Sequence, residues 1–185
     1  MSVPDVKLIQ PRVFSDSRGY FFETFLAERY EHAGVRGPFV QDNVSSSHRH
    51  VLRGLHLQWP GEVQGKLVSA YRGTIWDVAV DVRVGSPTFG HSVGAELSEE
   101  NHCQLWVPPG FAHGFVVISE SALVSYKCTA PHSPRDEVSI RWNDPTLAVR
   151  WPSAAPTLSE RDAAAPFFAD LPPSSVPQYI ADSRG

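Results

Sequence analysis

The middle of the chain alternates between apolar and polar residues with a period of two. In TIWDVAVDVRV (74–84), tryptophan and valines occupy every second position, and Asp77, Asp81 and Arg83 lie between them. Because successive side chains of a β-strand point to opposite faces, this pattern predicts a strand with one buried face and one polar face.

Further short apolar runs follow the same rule and predict more strands. They are GKLVSAY (65–71), CQLWV (103–107), GFVVIS (114–119) and ALVSYKC (122–128). Turn-forming residues separate the runs, as in Arg72-Gly73, Gly85-Ser86-Pro87, Pro108-Pro109-Gly110 and Ser119-Glu120-Ser121. Many short strands joined by turns are typical of an antiparallel sandwich or barrel.

Helices are predicted at only two places. One is expected around residues 24–33, and a short one after Ser159, which resembles an N-cap followed by acidic residues. The segment LPPSSVPQYIADSRG (171–185) is rich in proline and serine. We therefore expect a single domain over residues 1–170 and a tail over 171–185 that is ordered only if it docks.

Composition and charge narrow the class of protein. The chain has 185 residues, of which 42% are hydrophobic and 19% charged, and its formal net charge is −4. This composition is typical of a globular protein, and the absence of a basic patch argues against a nucleic-acid partner. The two isolated cysteines, Cys103 and Cys128, are expected in the core. No apolar run in the sequence is long enough for a membrane span and the N-terminus lacks a signal-peptide pattern, so we expect a cytoplasmic protein.

The segment VLRGLHLQWPGEVQGKLV (51–68) is unusually rich in polar groups for a strand region. A metal site is one interpretation, because metal-binding cupins, which are jelly rolls, combine an HxH pair and a glutamate with a histidine after a PxGxxH turn. The corresponding residues here are His56, Gln58, Glu62 and His113. Glutamine is a weak ligand, so this set would hold a divalent ion loosely, and we predict no metal.

Acid–base chemistry is the second interpretation of the same segment. Histidine is a common general base, so His56 can remove a proton from carbon if a carboxylate orients its ring. Lys66 offers a positive charge for a developing oxyanion. Arg53 and His56 would point to opposite faces of a regular strand, unless Gly54 marks a bulge. Tyr126 could be a proton donor in a barrel interior or a core residue with a satisfied hydroxyl, and the residues alone leave both readings open.

Nine stretches, in order, resemble the dTDP-4-dehydrorhamnose 3,5-epimerase family over residues 6–168. They are SRGYFFETF (17–25), FVQDNVSSS (39–47), VLRGLHLQ (51–58), QGKLV (64–68), DVAVDVRVGSPTFG (77–90), LWVPPGFAHGFVVIS (105–119), YK (126–127), WNDPTL (142–147) and LSERD (158–162). The resemblance implies an all-β cupin-type jelly-roll barrel with a few short helices. It also implies a homodimer that needs no metal or other cofactor and acts on a dTDP-4-keto-6-deoxyhexose.

The resemblance also implies roles for individual residues. His56 matches the family's base, Asp162 the carboxylate paired with it, Tyr126 the acid on the opposite face, and Lys66 the lysine near the ketone oxygen. The other matched positions contact the substrate: Arg53 and His113 around the sugar and diphosphate, Arg18 and Glu23 at the nucleotide and in the family able to cross the dimer interface, Gln41 and Asn43 near the thymidine, and Glu137 as a further acid.

Two positions depart from the family pattern and keep alternatives open. His132 stands where the family often has a tyrosine, and Arg161 where it often has a lysine. Neither change removes a catalytic group, but both bear on how long a singly inverted intermediate stays bound. The alternatives are a single-centre 3-epimerase or 5-epimerase, a dTDP-sugar ketoisomerase and a non-catalytic cupin.

Overall fold

Two five-stranded antiparallel sheets form the body of the protein. The computed structural model describes residues 1–180. Its strands are β1 (Lys7–Ile9), β2 (Val13–Asp16), β3 (Gly19–Phe22), β4 (Gln41–His48), β5 (Leu52–Gln58), β6 (Lys66–Arg72), β7 (Thr74–Asp81), β8 (Ser92–Ser98), β9 (Gln104–Val107), β10 (Phe111–Val117), β11 (Ser121–Cys128) and β12 (Glu137–Ser139). Sheet 1 has the order β1-β9-β6-β11-β4, sheet 2 the order β12-β5-β10-β7-β8, and β2 and β3 pair as a separate hairpin.

Helical structure is confined to short segments. The helices are α1 (Ala27–His32) and α2 (Glu160–Ala163), and single 3-10 turns follow at Phe168–Asp170 and Pro173–Ser175. The first is shorter than the predicted helix over 24–33. The second begins as predicted, because the Ser159 hydroxyl accepts a hydrogen bond from Asp162 N at 3.1 Å and caps the helix. No helix within residues 1–180 is long and apolar enough to cross a membrane.

The main core lies between the two sheets, which is the arrangement of a jelly-roll sandwich. Val68 and Val124 of sheet 1 pack in one cluster with Ile75 and Phe115 of sheet 2. This confirms the predicted all-β jelly-roll class. The β6–β7 turn depends on Gly73, whose φ of +71° is in the left-handed region and whose added Cβ would collide with the Ser121 carbonyl oxygen.

One prediction about strand β7 is wrong. The alternation over 74–84 predicted a polar, exposed face, yet Asp77 and Asp81 are both 0% exposed. The reason is that their face of β7, which also carries Ile75 and Ala79, points into the main core between the sheets, while the opposite face is covered as well. A second apolar cluster, which includes Leu57 and Val80, packs under Trp59, Trp151 and Leu171.

A bulge in β5 brings Arg53 and His56 to the same side. β10 pairs His113 with His56 and Phe115 with Arg53, so three steps along β5 match two along β10. The extra residue lies at Gly54, where an added Cβ would be 2.7 Å from the Gly114 Cα. This confirms the alternative that Gly54 marks a bulge.

The described part of the predicted tail is docked on the body. Val84 and Gln178 form a parallel bridge, with Tyr179 N donating to Val84 O at 2.9 Å and Val84 N donating to Pro177 O at 2.8 Å. The Arg83 guanidinium lies 5.1 Å from the Tyr179 ring centroid. Residues 181–185 of that tail lie outside the described residues.

Candidate active site

A cavity of about 500 Å³ opens between the two sheets. Of the eleven site residues predicted from the sequence, seven line it: Arg53, His56, Lys66, His113, Tyr126, Glu137 and Asp162. They come from β5, β6, β10, β11, β12 and α2, so residues far apart in sequence meet only in the folded chain.

A histidine–aspartate pair lies at one wall of this cavity. His56 Nε2 lies 2.6 Å from Asp162 Oδ1, and the two side chains are 24% and 6% exposed. Burial alone would raise the pKa of Asp162, but the hydrogen bond and charge of His56 outweigh it and lower that pKa below its usual value. A carboxylate can only accept, so Nε2 is the donor and Nδ1 is left free for a substrate proton.

Tyr126 and Lys66 face the same cavity from sheet 1. The β6–β11 register pairs Tyr126 with Val68 and Cys128 with Lys66, so the tyrosine and the lysine come from neighbouring strands. Burial raises the pKa of Tyr126, which keeps its phenol protonated at neutral pH. Burial also lowers the pKa of Lys66. His56 and Tyr126 therefore approach the cavity from opposite sheets.

A second histidine–aspartate pair lies beside the first, and its aspartate was not predicted from the sequence. His113 Nε2 is 2.8 Å from Asp77 Oδ1, with side chains 7% and 0% exposed. His113 is the register partner of His56 on the adjacent strand. The pattern of residues 74–84 placed Asp77 on the polar face of β7, and nothing in the local sequence pairs it with His113.

Glu137 is held at the mouth of the cavity by the side chains of Arg161 and His132. Arg161 Nη1 donates to Glu137 Oε2 at 2.9 Å, Arg161 Nη2 contacts Oε1, and His132 Nε2 lies 3.1 Å from Oε2. Burial would raise the pKa of Glu137, but these hydrogen bonds lower it to about 2. The two positions that depart from the family pattern, His132 and Arg161, thus converge on one carboxylate.

Gln58, the weak member of the proposed metal-ligand set, supports a loop. Its Nε2 donates to Glu62 O at 2.6 Å and to Pro131 O at 3.1 Å, and its Oε1 accepts from Ser133 N at 2.8 Å. Over residues 1–180, no group of three or more His, Cys, Asp or Glu side chains is placed to hold a metal ion.

Four predicted substrate contacts do not line this cavity. Arg18 and Glu23 lie at the β2–β3 hairpin, where Arg18 Nη2 donates to Asp16 Oδ2 at 2.6 Å and Glu23 accepts from Arg29 at 2.8 Å. Gln41 and Asn43 lie on the edge strand β4, opposite Cys128 and Tyr126 in the β4–β11 register. Gln41 Oε1 accepts from His132 N at 2.8 Å, which connects this edge to the mouth of the cavity.

Comparison with known proteins gives a consistent result. A family model described as dTDP-4-dehydrorhamnose 3,5-epimerase matches residues 1–170. The dTDP-4-dehydrorhamnose 3,5-epimerase of Salmonella typhimurium is 52% identical over 90% of this chain and 92% of its own. The dTDP-6-deoxy-D-glucose-3,5-epimerase RmlC of Legionella pneumophila, solved with dTDP-4-keto-L-rhamnose, has a TM-score of 0.94 and 48% identity, covering 98% of this chain and 97% of that one.

A relative described as an epimerase of a single centre has the same fold. ChmJ, a 3′-monoepimerase from Streptomyces bikiniensis solved with dTDP-quinovose, has a TM-score of 0.85 and 35% identity. The alignment covers 91% of this chain and 86% of ChmJ. The fold is therefore shared by double and single epimerases.

Proposed function

The chain belongs to the dTDP-4-dehydrorhamnose 3,5-epimerase family, a family of isomerases, and we propose that it inverts C3 and C5 of a dTDP-4-keto-6-deoxyhexose. The observation that carries this proposal is that His56 and Tyr126 lie on opposite sheets of one cavity. Asp162 of α2, the partner of His56, and Lys66 line the same cavity. Such a cavity suits a substrate that loses a proton on one face and regains one on the other.

The chemistry follows from the substrate's C4 ketone. Carbons 3 and 5 flank this ketone, so their protons are weakly acidic, and removal of either gives an enolate. His56 Nδ1 takes the proton while Asp162 stabilises the resulting imidazolium. Lys66 stabilises the negative charge on the enolate oxygen. Tyr126 then returns a proton from the opposite sheet, and the stereocentre is inverted.

The remaining site residues hold the substrate in this proposal. Arg53 lines the cavity, where its Nε donates to Ser47 Oγ at 3.1 Å and its guanidinium can also bind a phosphate. His113 and Glu137 line the cavity beside the sugar position. Gln41 and Asn43 bind the thymidine from the edge of sheet 1.

Arg18 and Glu23 act across a homodimer in this proposal. The β2–β3 hairpin that carries Arg18 exposes three aromatic side chains, Phe14, Tyr20 and Phe21, which are 51%, 59% and 70% exposed. An exposed apolar patch of this kind marks a surface that another chain covers. The hairpin of one protomer then supplies Arg18 and Glu23 to the cavity of its partner.

Subunit complementation tests this cross-dimer arrangement. His56→Ala and Arg18→Ala chains are co-expressed with different tags, and the mixed dimer is purified. If Arg18 serves the partner's cavity, each mixed dimer has one intact site and recovers about half of the wild-type activity. If Arg18 serves its own chain, neither site is intact and no activity is recovered.

Proton NMR in D2O with dTDP-4-keto-6-deoxyglucose tests the reaction itself. Deuterium at C3 and C5 together with an L-configured product is the expected result. Deuterium and inversion at C3 alone would instead support a single-centre epimerase, the alternative that the similarity to ChmJ favours. Movement of the carbonyl would indicate a ketoisomerase, and absence of exchange at both carbons would contradict the epimerase mechanism.

A further inference from the structure

Asp77 is a buried carboxyl next to the cavity that the mechanism above does not use. It bonds His113, whose register partner is the base His56, yet Asp77 itself does not line the cavity. Lys66 and His113 do line it, so a substrate meets these two groups while the carboxyl stays behind them.

The hydrogen bonding of Asp77 is incomplete. Its Oδ1 contacts His113 Nε2 at 2.8 Å, but its Oδ2 is buried and has no hydrogen-bond partner among residues 1–180. A buried polar atom left unpaired lowers the stability of the folded protein. A cost of this kind beside an active site calls for a functional explanation.

The same strand shows that a buried carboxyl can be fully satisfied. Asp81, also on β7 and also 0% exposed, accepts hydrogen bonds from Arg83, Ser86 and Thr88. The incomplete pairing of Asp77 is therefore a local property of the cavity end of β7.

Asp77 and Lys66 each oppose the effect of burial on the other's pKa. Burial raises the pKa of Asp77, and His113 and Lys66 oppose that rise. Burial lowers the pKa of Lys66, and the charge of Asp77 opposes that fall. The other titratable groups that face this cluster are His56 of β5, Tyr126 and Cys128 of β11, and Glu137 of β12.

We propose that Asp77 is a positioning residue for the enolisation. It holds His113 through Nε2, which leaves Nδ1 as the ring nitrogen available to the substrate. Its negative charge favours the ammonium form of Lys66, which the enolate oxygen requires. This inference rests on the proposed function, because it assigns Lys66 to the enolate.

Asp77→Asn tests the inference by removing the charge while keeping the shape, and Asp81→Asn is the matched control on the same strand. We expect Asp77→Asn to lower kcat by about 10- to 100-fold with a change in KM of less than about threefold. We also expect the alkaline limb of kcat to move to lower pH, because Lys66 loses a charge that raises its pKa. Asp81→Asn should keep the wild-type kcat and alkaline limb at temperatures where it is folded.

A measurement on the wild-type protein keeps the inference testable if Asp77→Asn fails to fold. In 15N-histidine-labelled protein, the His113 signals are assigned by their loss in His113→Gln. We expect the Nε2 of His113 to carry its proton throughout about pH 6–9, since it donates to a carboxylate. A bare Nε2 would mean that Asp77 is itself the donor, which would overturn the proposal.

The outcomes separate this inference from the proposed function. If the wild type exchanges deuterium while Asp77→Asn keeps its kcat and alkaline limb, only the role of Asp77 is contradicted. If the wild type shows no exchange, the proposed function fails, and with it the assignment of Lys66 on which the inference rests.

Discussion

The two ends of strand β7 carry aspartates that are both 0% exposed but differently surrounded. At the Asp81 end, the carboxylate accepts from Arg83 Nε at 2.9 Å, from Ser86 Oγ at 2.6 Å and from Thr88 Oγ1 at 2.7 Å. At the Asp77 end, one oxygen contacts His113 and the other has no partner within residues 1–180.

The pKa shifts of the two carboxyls have opposite signs for this reason. Burial raises the pKa of both carboxyls, but the hydrogen bonds at the Asp81 end outweigh this effect and lower the pKa of Asp81 to about 2. At the Asp77 end burial prevails and the pKa of Asp77 is raised. Depth and donors together therefore decide the pKa of each carboxyl, because Asp77 lies deeper and has a donor on one oxygen only, whereas Asp81 accepts from several donors.

The two ends therefore differ in role: the cluster at Asp81 stabilises the fold, and the cluster at Asp77 belongs to the reactive site. Arg83 also donates to Asp5 at 2.7 Å and lies 4.4 Å from the Phe111 ring centroid and 5.1 Å from that of Tyr179. The Asp81 end thus joins the N-terminal segment and the docked tail to sheet 2. The Asp77 end instead adjoins the cavity with its acid–base groups. We expect substitutions near Asp77 to affect rate and substitutions near Asp81 to affect stability.

The largest effect is expected from His56→Ala, beside the Asp77 end. Loss of the base should lower kcat/KM by about 10³- to 10⁴-fold, because the proposed mechanism assigns proton abstraction to His56. Steady-state kinetics measures the rate at temperatures where the variant is folded, and circular dichroism checks that it is folded. His91→Ala, an exposed histidine near the Asp81 end, is the control and should retain full activity. Wild-type deuterium exchange by His56→Ala would contradict the assigned base.

The next largest effect is expected from Arg83→Met at the Asp81 end. Removing the cation leaves Asp81 buried with an uncompensated charge, so the free energy of unfolding should fall by about 3–5 kcal/mol. Chemical denaturation followed by circular dichroism measures this loss, and kcat should be unchanged where the protein is folded. Arg150→Met, at an exposed arginine, should change stability by less than about 0.5 kcal/mol. A drop in kcat at full folding would show that the two ends are coupled.

A smaller effect is expected from Tyr126→Phe, across the cavity from His56. The phenol donates only in the reprotonation step, so inversion should slow by about 100-fold while exchange of substrate protons with D2O continues. NMR of the product and of the exchanged substrate separates the two rates. Tyr71→Phe, on the exposed side of β6, should leave both rates unchanged. Inversion at the wild-type rate would rule out Tyr126 as the acid.

The smallest effect is expected in the acid dependence of stability. The folded pKa of Asp81 is about 2, below the unfolded value of 3.8, so the unfolded chain binds the proton more tightly. The resulting stabilisation, about 2–3 kcal/mol, is present above pH 3.8 and is lost as pH falls toward 2. Urea unfolding of the wild type and Asp81→Asn at several pH values measures it. The difference between the two proteins should shrink as pH falls, and a difference independent of pH would contradict the mechanism.

Local patterns in the sequence predicted much of the fold. The period-two runs predicted β6, β7, β9, β10 and β11, and Ser159 predicted the start of α2. The strands β1, β2, β3, β4, β8 and β12 were not predicted, because they are short or lack a clear alternation. The helix around 24–33 was predicted too long, since only Ala27–His32 forms helical turns.

The candidate site was predicted only in part. The resemblance to the family assigned roles to His56, Lys66 and Tyr126, which the residues alone had already suggested for acid–base chemistry and which do line one cavity. It also supplied Arg18 and Glu23, which lie outside the cavity of their own chain. Asp77 could not be predicted, because its importance depends on His113, 36 residues away, and on the β7–β10 register that brings the two strands together.

The sequence by itself determined what depends on neighbouring residues: the alternation of the strands, the turn at Gly73, the N-cap of α2 and the types of chemical group available. Tertiary structure alone decided which groups meet. The bulge at Gly54 turned Arg53 and His56 to one side, and the packing of the two sheets against each other buried both aspartates of β7. The physical reason is that hydrogen-bond partners and burial depend on strand register and layer packing. These join residues far apart in the chain and fix the donors available to each carboxyl.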